Sequence, residues 1–212
     1  MGAEMSETAT AAQLILLLGG ARSGKSAYGE ALAARLAGEA PVAYIATATA
    51  SDDEMRERIA RHQASRPSHW LTIEEPLRPA DALRAMTASV VLLDCVTLLV
   101  ANLLLDGAGE SDFESAGFAS ETETRVDRAI TDLLDAWRSR RTTLILVSNE
   151  VGMGLVPPYP LGRAYRDCLG RANARLAAAA DTVLLMVAGL PIELKALAAA
   201  WEREAARRSG DG

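Results

Sequence analysis

Eight residues, Gly19-Gly20-Ala21-Arg22-Ser23-Gly24-Lys25-Ser26, fit the spacing G-x-x-x-x-G-K followed by Ser or Thr. Glycines in such a loop let backbone N–H groups curl around an anion. A helix beginning at its end points its positive pole at the same place. Lys25 would reach the β- and γ-phosphates of a nucleoside triphosphate, and the Ser26 hydroxyl would ligate Mg²⁺. A second feature is Asp94, which closes the aliphatic run Val90-Val91-Leu92-Leu93. A carboxylate there suits the water shell of a Mg²⁺ beside the loop, although many strands end in Asp simply as a helix cap.

The third feature is His62, alone among Arg56, Arg58, Arg61 and Arg66 in the segment Asp52 to Pro67. If one helix carries the segment, Arg58, His62 and Arg66 share a face at i, i+4 and i+8. Arginines near a neutral imidazole discourage its protonation and leave a lone pair free for attack; they also suit a second phosphate group. On spacing alone the plainer reading, a solvated salt-bridged helix with an incidental histidine, is the stronger. His69, in Pro67-Ser68-His69-Trp70, is the rival nucleophile and reads as part of a turn into a strand. Asn149-Glu150-Val151-Gly152-Met153-Gly154 offers glycines for backbone approach to a ligand, and Glu150 for a hydroxyl or a metal water, or else is a plain turn.

The elements that must position these groups follow from apolar patterning. Leu14 to Leu18 is too short for a helix and reads as a strand buried on both faces. A helix from about Lys25 to Leu36 follows, with Tyr28, Leu32 and Leu36 on one face and Gly38 as its stop. Further strands are expected at Val42 to Ala46, Val90 to Leu93, Thr143 to Val147 and Thr182 to Val187. Helices are expected from a Ser51 cap to Ala64, at Thr97 to Leu105, Glu121 to Arg140, Leu161 to Ala179 and Ile192 to Arg207. Asp106 to Ser120 reads as an acidic, Gly/Ser-rich loop. Short apolar strands alternating with helices imply an α/β fold, a P-loop NTPase-like three-layer sandwich around a mostly parallel sheet. Ligands of such sheets bind at the carboxyl ends of the strands. Residues 14–207 are expected to form a single nucleotide-binding catalytic domain, with 1–13 a disordered tail and 208–212 a frayed one.

Three stretches together carry a family resemblance: GGARSGKS with the strand end YIATA, DDEMRERIARHQASRPSHWLTIEEP, and SNEVGMGLVP followed by RDCLGRANARLAAAADTV. They closely resemble the bifunctional adenosylcobinamide kinase/adenosylcobinamide-phosphate guanylyltransferase family of cobalamin biosynthesis, from about Leu14 to Val187. The loop is common to many families, but its combination with R-I-x-x-H-x-x-x-R-P-x-x-W and N-E-V-G-x-G is specific. The resemblance implies two steps. ATP or GTP phosphorylates the aminopropanol hydroxyl of adenosylcobinamide; then GTP guanylylates a histidine, which passes GMP to the new phosphate and yields adenosylcobinamide-GDP. It implies His62 as that histidine. Nucleotide contacts are implied at Gly19 to Ser26, at Ala46, Thr47 and Ala48, at Gln63, Ala64, Ser65 and Arg66, and at Glu74 and Asp94. Where relatives carry Glu at the Asp94 position this chain has the shorter Asp, which can still ligate Mg²⁺ directly or through water. A homotrimer is implied as well.

Composition narrows the setting. Twenty-two basic and 28 acidic side chains give a net charge of −6, which argues against a nucleic-acid-binding surface. Only Lys25 and Lys195 are lysines. Half the residues are hydrophobic and 4% aromatic, so the core must be aliphatic. Cys95 and Cys168 have no metal-ligand spacing and are expected to be buried reduced thiols. With no secretory signal at Met1 to Gln13 and no apolar stretch near the length of a membrane span, a cytoplasmic protein is expected. Two other readings remain: a simple small-molecule kinase without a covalent intermediate, and a GTP-binding regulatory module. The histidine segment weighs against the first, and the lack of an N-K-x-D sequence against the second.

Overall fold

The structure is a computed structural model, and it describes residues 12–49, 53–64, 66–109, 113, 115 and 117–210. In chain order the elements are β1 (Leu14–Gly19), α1 (Lys25–Ala37), β2 (Val42–Ala46), α2 (Asp53–Ala64), β3 (Leu71–Glu74), α3 (Pro79–Ala85), β4 (Val90–Asp94), α4 (Val96–Leu105), α5 (Phe118–Arg140), β5 (Thr143–Val147), α6 (Pro160–Ala179), β6 (Thr182–Val187), β7 (Leu190–Glu193) and α7 (Leu194–Gly210). The strands form one sheet in the order β3-β2-β4-β5-β1-β6-β7. Every pair is parallel except β6–β7.

Strand alternation divides the core into two. Leu14, Leu16, Ile45, Leu93 and Leu146 point to the face covered by α3, α4, α5 and α6, whereas Ile15, Leu17, Tyr44, Leu92 and Val147 point to the face covered by α1. That makes the expected three layers. On α1, Leu32 is buried, with Tyr28 and Leu36 packed beside it on this second core, as their spacing predicts. Gly38 ends the helix at φ +60, its N–H donating to the Ala34 carbonyl.

The structure departs from the expectations at short or terminal elements. β3 and α3 occupy a stretch whose patterning reads only as a turn leading into a strand. β7 takes Leu190–Glu193, so Ile192 belongs to an antiparallel edge strand and not to the last helix, which begins at Leu194. α5 starts at Phe118, three residues before the expected Glu121; the Phe118 ring packs edge-to-face on Phe113, with centroids 5.3 Å apart. Gln13 is tied to the sheet through its carbonyl, which accepts from Leu144 N–H at 2.8 Å. The expected Ser51 cap and the tail at 1–11 lie outside the described residues.

Candidate active site

β1 runs straight into the glycine loop, and two glycines are required by its path. Gly19 has φ +151, and a Cβ there would lie 2.5 Å from the Met186 carbonyl oxygen. Gly24 has φ +92, and its Cβ would stand 3.3 Å from Gly189 Cα. The loop is pinned from three sides: Ser23 N–H donates to Gly20 O at 3.3 Å, Gly189 N–H to Ser23 O at 3.0 Å, and Glu150 N–H to Gly19 O at 3.0 Å. α1 starts at Lys25 with no side-chain cap, so its first N–H groups stay available to an anion in the loop. Lys25 is only 7% exposed. Its ammonium donates to Gly20 O at 2.6 Å, across the same loop. Burial holds the Lys25 pKa below its usual value, while nearby Cys95 and Asp94 oppose that shift.

Asp94 ends β4 beside this loop. It accepts a hydrogen bond on Oδ2 from the buried Tyr44 hydroxyl at 3.0 Å. Burial, reinforced by the Asp94 charge, pushes the Tyr44 phenol far up, so it stays a donor. Arg66 lies over the Tyr44 ring, with Cζ 3.3 Å from the centroid, and its Nε is 3.6 Å from Glu30 Oε1. α2 stops at Ala64, so Arg66 is beyond the helix and turned inward; it does not extend the helical spacing of Arg58 and His62. Thr47, fully buried, clips the neighbouring strand ends together. Its hydroxyl donates to Cys95 O at 2.7 Å and accepts from Cys95 N–H at 2.8 Å. Its carbonyl accepts from Asn102 Nδ2 at 2.8 Å.

Among the described residues no group of three or more His, Cys, Asp or Glu is arranged to hold a metal. One carboxylate and one hydroxyl, Asp94 and the half-buried Ser26, nevertheless fit Mg²⁺, which keeps several waters and takes phosphate oxygens as further ligands. Both cysteines are free thiols. Cys168 is buried as expected; Cys95 is only partly so. Burial pushes each up to about 11.

On the β2–β3 side a cleft of about 550 Å³ lies between the β2 end (Ala48, Thr49), α2 (Arg56, Gln63) and the β3 end (Glu74, Pro76). Three expected nucleotide contacts, Ala48, Gln63 and Glu74, therefore converge on one space. Gln63 Nε2 donates to Glu74 Oε1 at 3.1 Å, which holds the last turn of α2 over the carboxyl end of β3. His62 is in that turn. Its side chain, those of Arg58 and Arg61, and the whole of Ser65 lie outside the described residues. Ala64 is exposed, and Ala46 is nearly buried at the end of β2. His69 precedes β3, at the amino ends of the strands and a strand length away from Glu74.

Beyond β5, a network that sequence patterning does not announce fixes the Asn149-Glu150 turn. Thr97 Oγ1 accepts from Asn149 N–H at 2.7 Å, and Asn173 Nδ2 donates to Asn149 O at 2.9 Å. Ser148 Oγ donates to Asn173 Oδ1 at 2.6 Å. Tyr44 and Asn102 are further site residues that sequence reasoning misses. Their one visible signal is a polar group inside an otherwise aliphatic run.

Known proteins resemble this chain along most of its length. The family model described as cobinamide kinase / cobinamide phosphate guanyltransferase matches residues 15–194. The chain is 46% identical over 188 residues to the bifunctional adenosylcobalamin biosynthesis protein CobU of Salmonella typhimurium, covering 86% of this chain and 99% of that one. It is 44% identical to the protein CobP of Pseudomonas aeruginosa, which carries the same description, covering 85% of this chain and 96% of the relative. Among solved structures, the RadB recombinase superimposes with a TM-score of 0.45 at 14% identity, over 82% of this chain and 74% of that one. With the family model matching most of its length and relatives this similar along nearly theirs, the chain belongs to the cobinamide kinase / cobinamide phosphate guanyltransferase family.

Proposed function

We propose that residues 14–207 act as one catalytic unit that phosphorylates adenosylcobinamide with ATP or GTP and then transfers GMP from a second GTP to the product. The observation that carries this reading is the convergence of the glycine loop, Asp94 and the α2 cleft along one edge of the sheet. In the first step the loop Gly19 to Ser26 holds the triphosphate, Lys25 neutralises charge on the β- and γ-phosphates, and the substrate hydroxyl attacks the γ-phosphorus; an O–P bond forms, the β–γ bridging P–O bond breaks, the nucleoside diphosphate leaves and the hydroxyl proton passes to solvent. Ser26 and Asp94 would hold a Mg²⁺, which would supply further charge neutralisation.

In the second step the His62 imidazole attacks the α-phosphorus of GTP. An N–P bond forms, the α–β bridging P–O bond breaks, and pyrophosphate leaves. A phosphate oxygen of cobinamide phosphate then displaces the histidine. Ala46, Thr47, Ala48, Gln63 to Arg66 and Glu74 surround the GTP in this reading, though the Thr47 hydroxyl is already engaged by Cys95 and the Arg66 guanidinium by Tyr44. Parallel strands stand about 4.8 Å apart, so β1 and β2, three spacings apart in the sheet, are about 14 Å apart. A GTP with its β- and γ-phosphates in the loop and its base in the cleft spans such a distance.

No helix among the described residues is long and apolar enough to cross a membrane; a cytoplasmic location is part of the proposal. A homotrimer is part of the proposal. Its support is the apolar surface left exposed on β7 and α7 by Leu190, Leu197 and Trp201. The deciding experiment incubates the protein and a His62→Ala variant with Mg²⁺ and GTP labelled at the α-phosphate. Acid-labile, alkali-stable label on the wild type and none on the variant is the expected result. Label persisting in the variant moves the nucleophile, with His69 the next candidate; no label on a folded, GTP-binding wild type removes the guanylyl-transfer half.

A further inference from the structure

The acceptor in the kinase step is a broad macrocycle, too large to enter the α2 cleft whole, so it must lie on the surface with only its arm reaching the phosphates. The sheet order says on which side. Lys25 follows β1 and Asp94 ends β4, and the strand between them is β5. A γ-phosphate shared by these two groups therefore lies over the carboxyl end of β5. The segment that leaves that end is 148–159, and its Glu150 N–H bonds the loop glycine Gly19 directly.

That segment is unusually apolar for an exposed loop: Met153 is 83% exposed, Leu155 97%, Val156 66% and Tyr159 58%. It is also held in shape. Arg166 Nη2 donates to Gly152 O at 2.7 Å, and Arg163 Nη1 to Pro158 O at 2.8 Å. Gly162 lets the loop close on α6, because a Cβ there would come within 2.5 Å of the Tyr159 ring. The apolar surface continues into a groove of about 270 Å³ between α4 and α6, lined by Leu104, Leu105, Tyr159 and Tyr165. The other apolar residues near the glycine loop, Val187 and Leu190, lie across β1 from Asp94 and cannot serve an acceptor on the β5 side.

We propose that the loop presenting Met153, Leu155, Val156 and Tyr159 is the platform on which the corrinoid macrocycle lies, with an edge of the ring in the groove between α4 and α6 and the aminopropanol arm directed along 149–152 to the glycine loop. This rests on the kinase reading above for the identity of the ligand. Aliphatic side chains and tyrosine rings offer van der Waals contact to the corrin ring and its methyl groups between the peripheral amides, and the braced backbone means the platform is formed before the ligand arrives.

The test is a Leu155→Ser/Val156→Ser double variant, two exposed positions whose change leaves the core intact. Adenosylcobinamide binding is measured by equilibrium dialysis, ATP affinity separately, and particle mass by light scattering. The expected result is a corrinoid Kd raised about tenfold or more, with ATP affinity within about twofold and mass unchanged. An unchanged corrinoid Kd overturns the platform, and so does a fall in particle mass, which would make a second copy of the chain the occupant. If the wild type binds the corrinoid through this loop yet transfers no phosphate to it, the platform stands and the kinase reading falls. If the wild type phosphorylates the corrinoid but the variant's Kd is unchanged, the platform alone falls.

Discussion

Replacing Thr47 by Val tests whether this residue acts through its backbone clip. Thr47 has no exposed surface, and its hydroxyl gives one bond to Cys95 and receives another. Valine has the same shape and neither bond. The Cys95 carbonyl keeps a second donor, Leu99 N–H at 3.1 Å, so its loss is partial; the Cys95 N–H loses its Thr47 acceptor. A buried polar group stripped of its partner costs about 1–3 kcal/mol, so one full and one partial loss come to about 3 kcal/mol. For a chain of this size that lowers Tm by about 6–12 °C. Thr47→Ser keeps both bonds and gives up one buried methyl, for about 1 kcal/mol. Urea titrations of the three proteins, followed by circular dichroism, read these differences directly. A Val variant within about 1 kcal/mol of wild type, or a Ser variant as unstable as the Val one, refutes the argument. The same variants test whether Thr47 bears on the nucleotide: if it acts only by holding Asp94 in place, Ser restores full GTP affinity.

Other expectations follow from the same geometry. Gly19→Ala forces a Cβ against the Met186 carbonyl at 2.5 Å, where backbone must yield; nucleotide binding by calorimetry should fall below detection while far-UV circular dichroism keeps its helical signature. Because burial lowers the Lys25 pKa and bound phosphate favours its charged form, triphosphate binding should take up a proton at alkaline pH and weaken as pH rises towards 10.5; calorimetry in buffers of different ionisation enthalpy counts that proton. The same lowered pKa has the opposite sign for folding: in that window the unfolded chain holds more protons, so Lys25 itself makes the free protein more stable as pH rises. Glu74→Ala removes the carboxylate facing Gln63 and should slow GTP labelling about tenfold or more, while ATP-dependent phosphorylation stays near wild type.

The parts legible in the sequence are those where one local rule suffices. Leu14 to Leu18 has no polar residue, which only a strand covered on both faces can use, and Gly19 to Ser26 carries its own backbone requirements in its glycines. β3 is legible only as a strand following the turn at 67–70, without bounds, because LTIE is four residues on a sheet edge, half exposed, with no strong alternation. β7 contains Pro191, and its pairing with β6 depends on the turn at Ala188 and Gly189, both at positive φ. The turn-in of Arg66 cannot be read either, since it depends on where α2 stops and on the position of the Tyr44 ring in β2. Tyr44 itself reads as one more core aromatic until its hydroxyl is found on Asp94.

These tertiary contacts tie together the two parts of the sheet edge to which the proposed reading assigns the two transfers. Asp94 is reached from the glycine loop on one side and, through Tyr44 and Thr47, from the strand that leads to the α2 cleft on the other. In both steps the groups that stay put are the loop and the carboxylate. On the proposed reading, what changes is the phosphorus presented to a nucleophile, the γ-phosphorus to a substrate hydroxyl or the α-phosphorus to an imidazole. Pyrophosphate as a leaving group needs the same cradle of N–H groups and the same lysine as the triphosphate that donates its γ-phosphoryl group. In that reading the glycine loop and Lys25 would serve both reactions, with the substrate hydroxyl arriving from the β5 side and the imidazole from α2.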